Sequence, residues 1–358
     1  VYSQYLAAEA SRMGYQVELI LPKKSGSTIH SDLYQRKLIL LTDKTENMPN
    51  LLAKLQFLYR QVINPILFLF YLWRRSSNAI VIWNDFEQLT APFWTFFLKG
   101  KNRHAIILHD PDRDSYPPSK SYSEWCMKRI VKKMHLIVYH EYLPNKKYYP
   151  SSGSKKYLSI QHGIYPSVAT NKVLFQEIVQ RTQNYQRWLI LGNIREEKNY
   201  DLAIETLSHF PKACLIIAGG LSRQGVDIDR WVTKSKDLGV EERVFWDVRY
   251  LPESDFQAYI EASDIILLNY QSTFVSQSGI LNSIAPYRKS FVYKKGESAL
   301  SYTCANYRIG TPCEGDDVHS WKESIIKSSY SKNDEEWNAY LIDATWSKAI
   351  GSIIKRLE

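Results

Sequence analysis

Paired cysteines are missing from this chain. Its four cysteines, Cys126, Cys214, Cys304 and Cys313, show no Cys-x-x-Cys and no histidine at zinc-site spacing, which excludes the common structural zinc frameworks. Cys214 lies inside an apolar run, Ala213–Ala218, so the thiols read as reduced and the compartment as cytoplasmic. Long apolar runs are missing too: no stretch of about 18 residues could span a bilayer as a helix. Short-period repeats and low-complexity tracts are absent, which excludes solenoid architectures. No RNA- or DNA-binding motif accompanies the basic residues, so nucleic acid is not an expected partner. An Asp-x-Asp metal motif matches only in letters, at Asp110-Pro111-Asp112, and no metal is expected.

What is present suits two ordinary domains. The chain has 358 residues, 44% of them hydrophobic and 13% aromatic, enough for two cores. Its net charge of +9 is unevenly spread: residues 1–170 hold 23 basic and 12 acidic side chains, a balance of +11, and the rest is at −2. A basic first half points to an anionic partner such as a membrane surface, or else to a merely soluble basic face. Short apolar runs at Val17–Leu21, Leu38–Leu41, Ala79–Trp83, His104–Leu108, Leu136–Tyr139 and Tyr157–Ile160 alternate with helix-like segments. That pattern predicts a parallel sheet covered on both faces. It resumes at Trp188. Residues 1–165 and 166–334 are therefore expected as two Rossmann-like domains, with 335–358 as a terminal helix packing back on the first. A strand and a glycine-rich turn are expected before the helix that starts at Tyr2.

Leu51–Trp73, followed by Arg74-Arg75, is unusual. Asn64-Pro65 is expected to break it. Its aromatic and aliphatic residues beside a basic flank suit a lipid interface, whereas Phe68, Leu69 and Leu72 would equally suit a core.

Two stretches carry the chemistry. The first, GNIREEKNYDLAIETL from Gly192, follows the strand-like run Trp188–Leu191 and precedes a helix and the strand Ala213–Ala218. A glycine turn after a parallel strand, with Arg195 and Lys198 three apart, suits a diphosphate. It also suits a solvated charged turn. The second runs from Arg249 and reads as helix (Glu253–Glu261), buried strand (Asp264–Leu268), loop, helix (Gly279–Ala285) and strand (Ser290–Tyr293).

Together these stretches resemble the donor-binding half of family 4 glycosyltransferases, retaining enzymes of the GT-B fold. Gly192, Arg195 and Lys198 match a Gly-x-x-Arg-x-x-Lys turn. Ala262–Ile265 with Asn269-Tyr270 match an "aaDv-vlPY" strand, and Ser278-Gly279 with Arg288–Ser290 match the segment after it. The resemblance is weaker over the rest of the chain. Val275 and Ser283 stand where many members carry glutamates, the second of which holds the ribose, and Asn269 and Ser290 stand where proline is usual.

The resemblance implies an α/β, GT-B-like architecture of two Rossmann-like domains facing across a cleft. It implies transfer of a hexose from a UDP or GDP sugar to a saccharide or lipid-linked acceptor, in surface polysaccharide or glycolipid synthesis, without a cofactor. Arg195, Lys198 and His109 would be catalytic. Gly192, Arg249, Tyr250, Ser276, Gln277, Ser278, Gly279 and Ser283 would bind the donor, and Asp110 and His162 would lie on the acceptor side. Cations are the expected stabilisers of a leaving diphosphate, with Arg gripping two oxygens and Lys acting as a point charge. No glycosidase-like pair of catalytic carboxylates is visible. The enzyme would work in the cytoplasm or on the inner face of the cell membrane. The alternative is a catalytically silent GT-B module that binds a glycan or protein partner.

Overall fold

The computed structural model describes residues 1–23, 32–42, 50–75, 78–98, 101–114, 119–150, 153–222, 226–329 and 334–358. It divides into two units, Val1–His162 with Ala344–Glu358, and Gly163–Asp343. Each is an α/β unit with parallel strands.

In the first unit, β1 (Glu18–Pro22) and β2 (Gln35–Leu40) pair with each other in parallel. β3 (Ile80–Trp83), β4 (Arg103–Leu108), β5 (Leu136–His140) and β6 (Tyr157–Ile160) form a second parallel sheet in that order. Among the described residues the strands of this half therefore make two sheets, where their spacing predicts one. The β3–β6 sheet is apolar because helices cover it: Ile106, Leu108, Met127, Ile130 and Ile137 are at most 1% exposed and pack with Trp83 and Trp94. The segment 335–358 is split. Helix Asp334–Asp343 folds with the second unit, while Trp346–Leu357 packs on Tyr2–Arg12 and on β4, β5 and β6.

The expected break at Asn64-Pro65 does not occur. One helix runs from Asn50 to Trp73 with Pro65 inside it. Pro65 has no N–H to offer the Gln61 carbonyl, the defect that normally ends a helix. Here the Thr90 hydroxyl donates to that carbonyl instead. Asn64 is pinned as well, its Oδ1 accepting from the Leu41 N–H at 2.8 Å.

The second unit holds one six-stranded parallel sheet: β7 (Gln186–Leu191), β8 (Ala213–Ala218), β9 (Val244–Asp247), β10 (Ile265–Leu268), β11 (Phe291–Lys294) and β12 (Thr311–Cys313), in the order β12-β11-β10-β7-β8-β9. β8 and β10 are buried along their whole length, as strands covered on both faces must be. The chain winds from β7 outward to β9, then returns to the other side of β7 with β10. That reversal places a switch point between β7 and β10, where the two following loops diverge and leave a crevice.

Candidate functional site

The switch point is where the Gly192 turn lies. Gly192 has φ +85° and Gly219, which follows β8, has φ +150°. A Cβ on Gly219 would stand 2.4 Å from the Gly192 carbonyl oxygen, so only glycine lets the two turns touch backbone to backbone. The Gly192 N–H donates to Ala218 at 2.9 Å and the Ile194 N–H to Gly220 at 2.8 Å. Asn199, in the left-handed region, ends the turn and starts the helix Tyr200–Ser208.

The loop after β10 closes on this turn. Asn269 Nδ2 donates to the Asn199 carbonyl at 3.1 Å, and the Gln271 N–H to the Glu197 carbonyl at 2.8 Å. Tyr270 stacks on Phe274 with centroids 3.9 Å apart, and the Arg195 guanidinium lies 6.0 Å from the Phe274 ring. Arg195 is 40% exposed and paired with Glu197 at 3.3 Å.

Lys198 is different in kind. It is 5% exposed, and its Nζ donates to the Leu191 carbonyl, 3.6 Å from where a Gly192 Cβ would sit. Burial first, then the charge of Arg195, holds its ammonium well below the usual lysine range. Two basic side chains near each other, Arg195 paired with Glu197 and Lys198 buried, form a site that an anion would complete.

The other expected donor residues follow β9 and β10, and several have their polar groups engaged. Gln277 Nε2 donates to Thr303 Oγ1 at 2.8 Å, and its Oε1 accepts from the Ser278 N–H at 3.0 Å. The Ser278 hydroxyl lies 3.0 Å from that of Tyr270. The Ser276 carbonyl accepts from the Leu300 N–H at 3.3 Å. Gly279 opens a helix of six residues, Gly279–Ile284, and Ser283 Oγ donates back to the Gly279 carbonyl at 3.0 Å. Arg249 pairs with Asp247 at 3.0 Å and Asp255 at 2.7 Å. Tyr250 is 84% exposed, with its backbone beside Gly220.

In the first unit, His109 and Asp110 follow β4, and His162 follows β6. His109 Nε2 meets Asn84 Oδ1 at 2.9 Å, and burial, then His162 and Arg113, pushes its pKa down to about 3. His109 is thus a neutral imidazole at working pH. His140, at the end of β5, stands between the other two, with ring centroids 5.5 Å from His109 and 5.3 Å from His162. Tyr2 meets His109 edge-on at 4.4 Å, and Trp346 lies 5.4 Å from His162. The Asp110 carbonyl accepts from Arg113 Nε at 2.8 Å, while Asp112 is held by Lys146 at 2.8 Å. Among the described residues no group of His, Cys, Asp and Glu is placed to hold a metal ion.

Sequence reasoning missed His140 and Asn84. Both end apolar runs, the same signal that singles out His109. It missed Tyr2 and Trp346 for another reason, since nothing local reveals that they meet.

No protein-family model matches the chain, and no curated protein matches it by sequence. Solved structures share its fold. A glycosyltransferase from Rickettsia africae ESF-5 is 14% identical, with a TM-score of 0.69 over 98% of this chain and 92% of that one. WaaG, a glycosyltransferase involved in lipopolysaccharide biosynthesis, is 13% identical, with a TM-score of 0.64 over 98% and 94%. Anabaena HepE, solved with UDP and glucose, is 12% identical, with a TM-score of 0.60 over 99% and 91%. The fold is thus the α/β, two-domain GT-B type.

Proposed function

We propose that this chain is a retaining glycosyltransferase of the family 4 kind, moving a hexose from a UDP or GDP sugar to a saccharide or lipid-linked acceptor in surface polysaccharide or glycolipid synthesis. One observation carries the reading: the buried Lys198 and its neighbour Arg195 share a glycine turn at the switch point of a doubly wound sheet. HepE binds UDP and glucose, and WaaG acts in lipopolysaccharide biosynthesis; both support the reading by analogy of fold.

In this reading the bond between the anomeric carbon and the diphosphate oxygen breaks, and a bond to the acceptor oxygen forms on the same face. The acceptor's proton passes to the departing phosphate. Negative charge grows on that phosphate, and Lys198 and Arg195 stabilise it. The Asn199–Ser208 region contributes a helix start beside the same turn. Neutral His109, oriented by Asn84, serves as a hydrogen-bonding group and not as a proton donor of charged form. Asp110, the next residue in the chain, and His162 are assigned to the acceptor. No metal is assigned to the reaction, and the site of action is the cytoplasm or the inner face of the cell membrane.

The test is binding of UDP and GDP, followed by turnover with UDP- and GDP-hexoses, with and without a chelator. Arg195→Ala and Lys198→Ala should each weaken diphosphate binding and cut turnover about a hundredfold or more, as loss of a charge-stabilising donor does. Activity should survive the chelator. Unchanged binding in both variants would overturn the site. Diphosphate binding without turnover on any acceptor would favour the silent module.

A further inference from the structure

The helix Asn50–Trp73 is apolar on both faces: Leu69 is buried in the core, with Phe68 and Leu72 packed against it, and polar groups share that inner side. Its inward residues include Gln61 and Asn64, 6% and 8% exposed. Gln61 bonds Glu87, and Asn64 bonds Glu87 and both backbone groups of Leu41. Its outward stripe is apolar. Leu51, Leu55, Leu58, Val62, Ile66 and Phe70 follow one another at spacings of three and four, so they share one face, and each is between 45% and 70% exposed. Trp73 ends the stripe at 48% exposed. A contiguous exposed apolar stripe of this length, on a helix already anchored by its other face, marks an interaction surface.

The stripe does not stop at the helix. Trp73 meets Phe97 at 6.2 Å, and Phe97 meets Phe93 at 5.3 Å and Phe96 at 5.5 Å. Phe93 and Phe96 are 61% and 72% exposed. Residues 50–75 contain no Asp or Glu; Lys54 and Arg74 are exposed, while Arg75 pairs with Glu18 of β1 at 2.9 Å. The Arg74 guanidinium lies 4.1 Å over the Phe70 ring, so cation and aromatic face outward together. No helix among the described residues is long and apolar enough to cross a membrane.

We propose that this ridge seats the first unit on an anionic lipid bilayer, with the helix lying in the plane of the interface. The surface is a convex ridge roughly 36 Å long at 1.5 Å per residue. A protein partner would need a matching groove of that length, whereas lipid packs around a ridge without one. Aromatic and aliphatic residues beside Lys54 and Arg74, on a helix that itself carries no acidic residue, are the composition that partitions to a charged lipid surface. The inference is independent of the diphosphate reading, since it uses none of the second unit's residues.

The experiment is flotation of the full chain with vesicles of phosphatidylcholine alone or with phosphatidylglycerol. The parent should float with the phosphatidylglycerol vesicles, less so at high salt. The double variant Leu58→Ser, Ile66→Ser should lose about tenfold or more in bound fraction at unchanged circular dichroism, because both residues already face outward. Phe68→Ser is the contrast. Phe68 lies 4.6 Å from Trp83 in the core, so its loss should lower thermal stability. All four native cysteines are buried, so a polarity-sensitive dye on Val62→Cys should report transfer to an apolar environment when vesicles are added. Any of three results overturns the proposal: no flotation at any phosphatidylglycerol content, equal flotation of the double variant, or a solution dimer that the double variant abolishes.

Discussion

At the scale of single residues, Lys198 combines two properties that usually exclude each other: it is an ionisable group and it is buried beside another cation. Its unfolded form is protonated up to the ordinary lysine range, whereas its folded form gives up the proton at lower pH. The unfolded state therefore binds more protons in that interval. Stability rises with pH through it and is reduced at neutral pH. Lys198→Met removes this cost at similar length and should raise Tm by a few degrees. A Tm lowered in Lys198→Met would refute the assignment of strain to the ammonium. A diphosphate reverses the balance, because an anion favours the charged lysine. Binding should therefore take up a proton and weaken as pH rises. Calorimetry in two buffers of different ionisation enthalpy would give the proton count, and a count of zero in the parent would refute the coupling.

At the scale of elements, the Asn50–Trp73 helix depends on a group 25 residues away from its proline. Thr90→Val leaves the Gln61 carbonyl without a donor and should cost about 1–3 kcal/mol, the range for an unsatisfied buried acceptor. In a Pro65→Ala background the backbone N–H is restored, so the same substitution should cost far less. Equal costs in the two backgrounds, read from denaturant unfolding, would exclude this account. The helix also marks the limit of what was legible in the chain. The strands and the Gly192 turn were legible because short apolar runs end at glycine or polar residues, a local signal. The uninterrupted helix was not, since Asn64-Pro65 carries the local signal for a break and Thr90 cancels it through space. The split of the stretch into outer Trp73 and inner Phe68 follows helical spacing, but which face turns inward depends on Gln61 and Asn64 finding Glu87 and Leu41. Likewise Arg249 reads as an open cation, yet Asp255, brought near by the helix Glu253–Ala262, holds it. His140 was within reach, since it ends a strand just as His109 follows one.

At the scale of the whole molecule, titration should separate the two units. The first holds His104, with its pKa pushed by burial down to about 4, His109 at about 3, and His135 and His140 lowered, also by burial first. Lowered folded values mean that the unfolded chain takes up protons near pH 6.5 while the folded one refuses them, so stability is lost as pH falls from about 6.5 towards 4. Glu87, raised by burial, works in the opposite direction but is one group against several. The second unit's histidines, His209 and His319, are exposed. Hydrogen exchange followed down this pH range should show the first unit opening before the second; the reverse order would contradict the role of the imidazoles. The division of the chain has a consequence of another kind, in time. A ribosome makes residues 1–162, then all of 163–343, and only then the helix Trp346–Leu357 that covers Tyr2 and the ends of β4 to β6. The unit translated first must wait, incompletely covered, until the unit inserted into it has emerged. A nascent chain halted at residue 343 would carry a second unit with its sequence complete and a first unit still without the helix Trp346–Leu357.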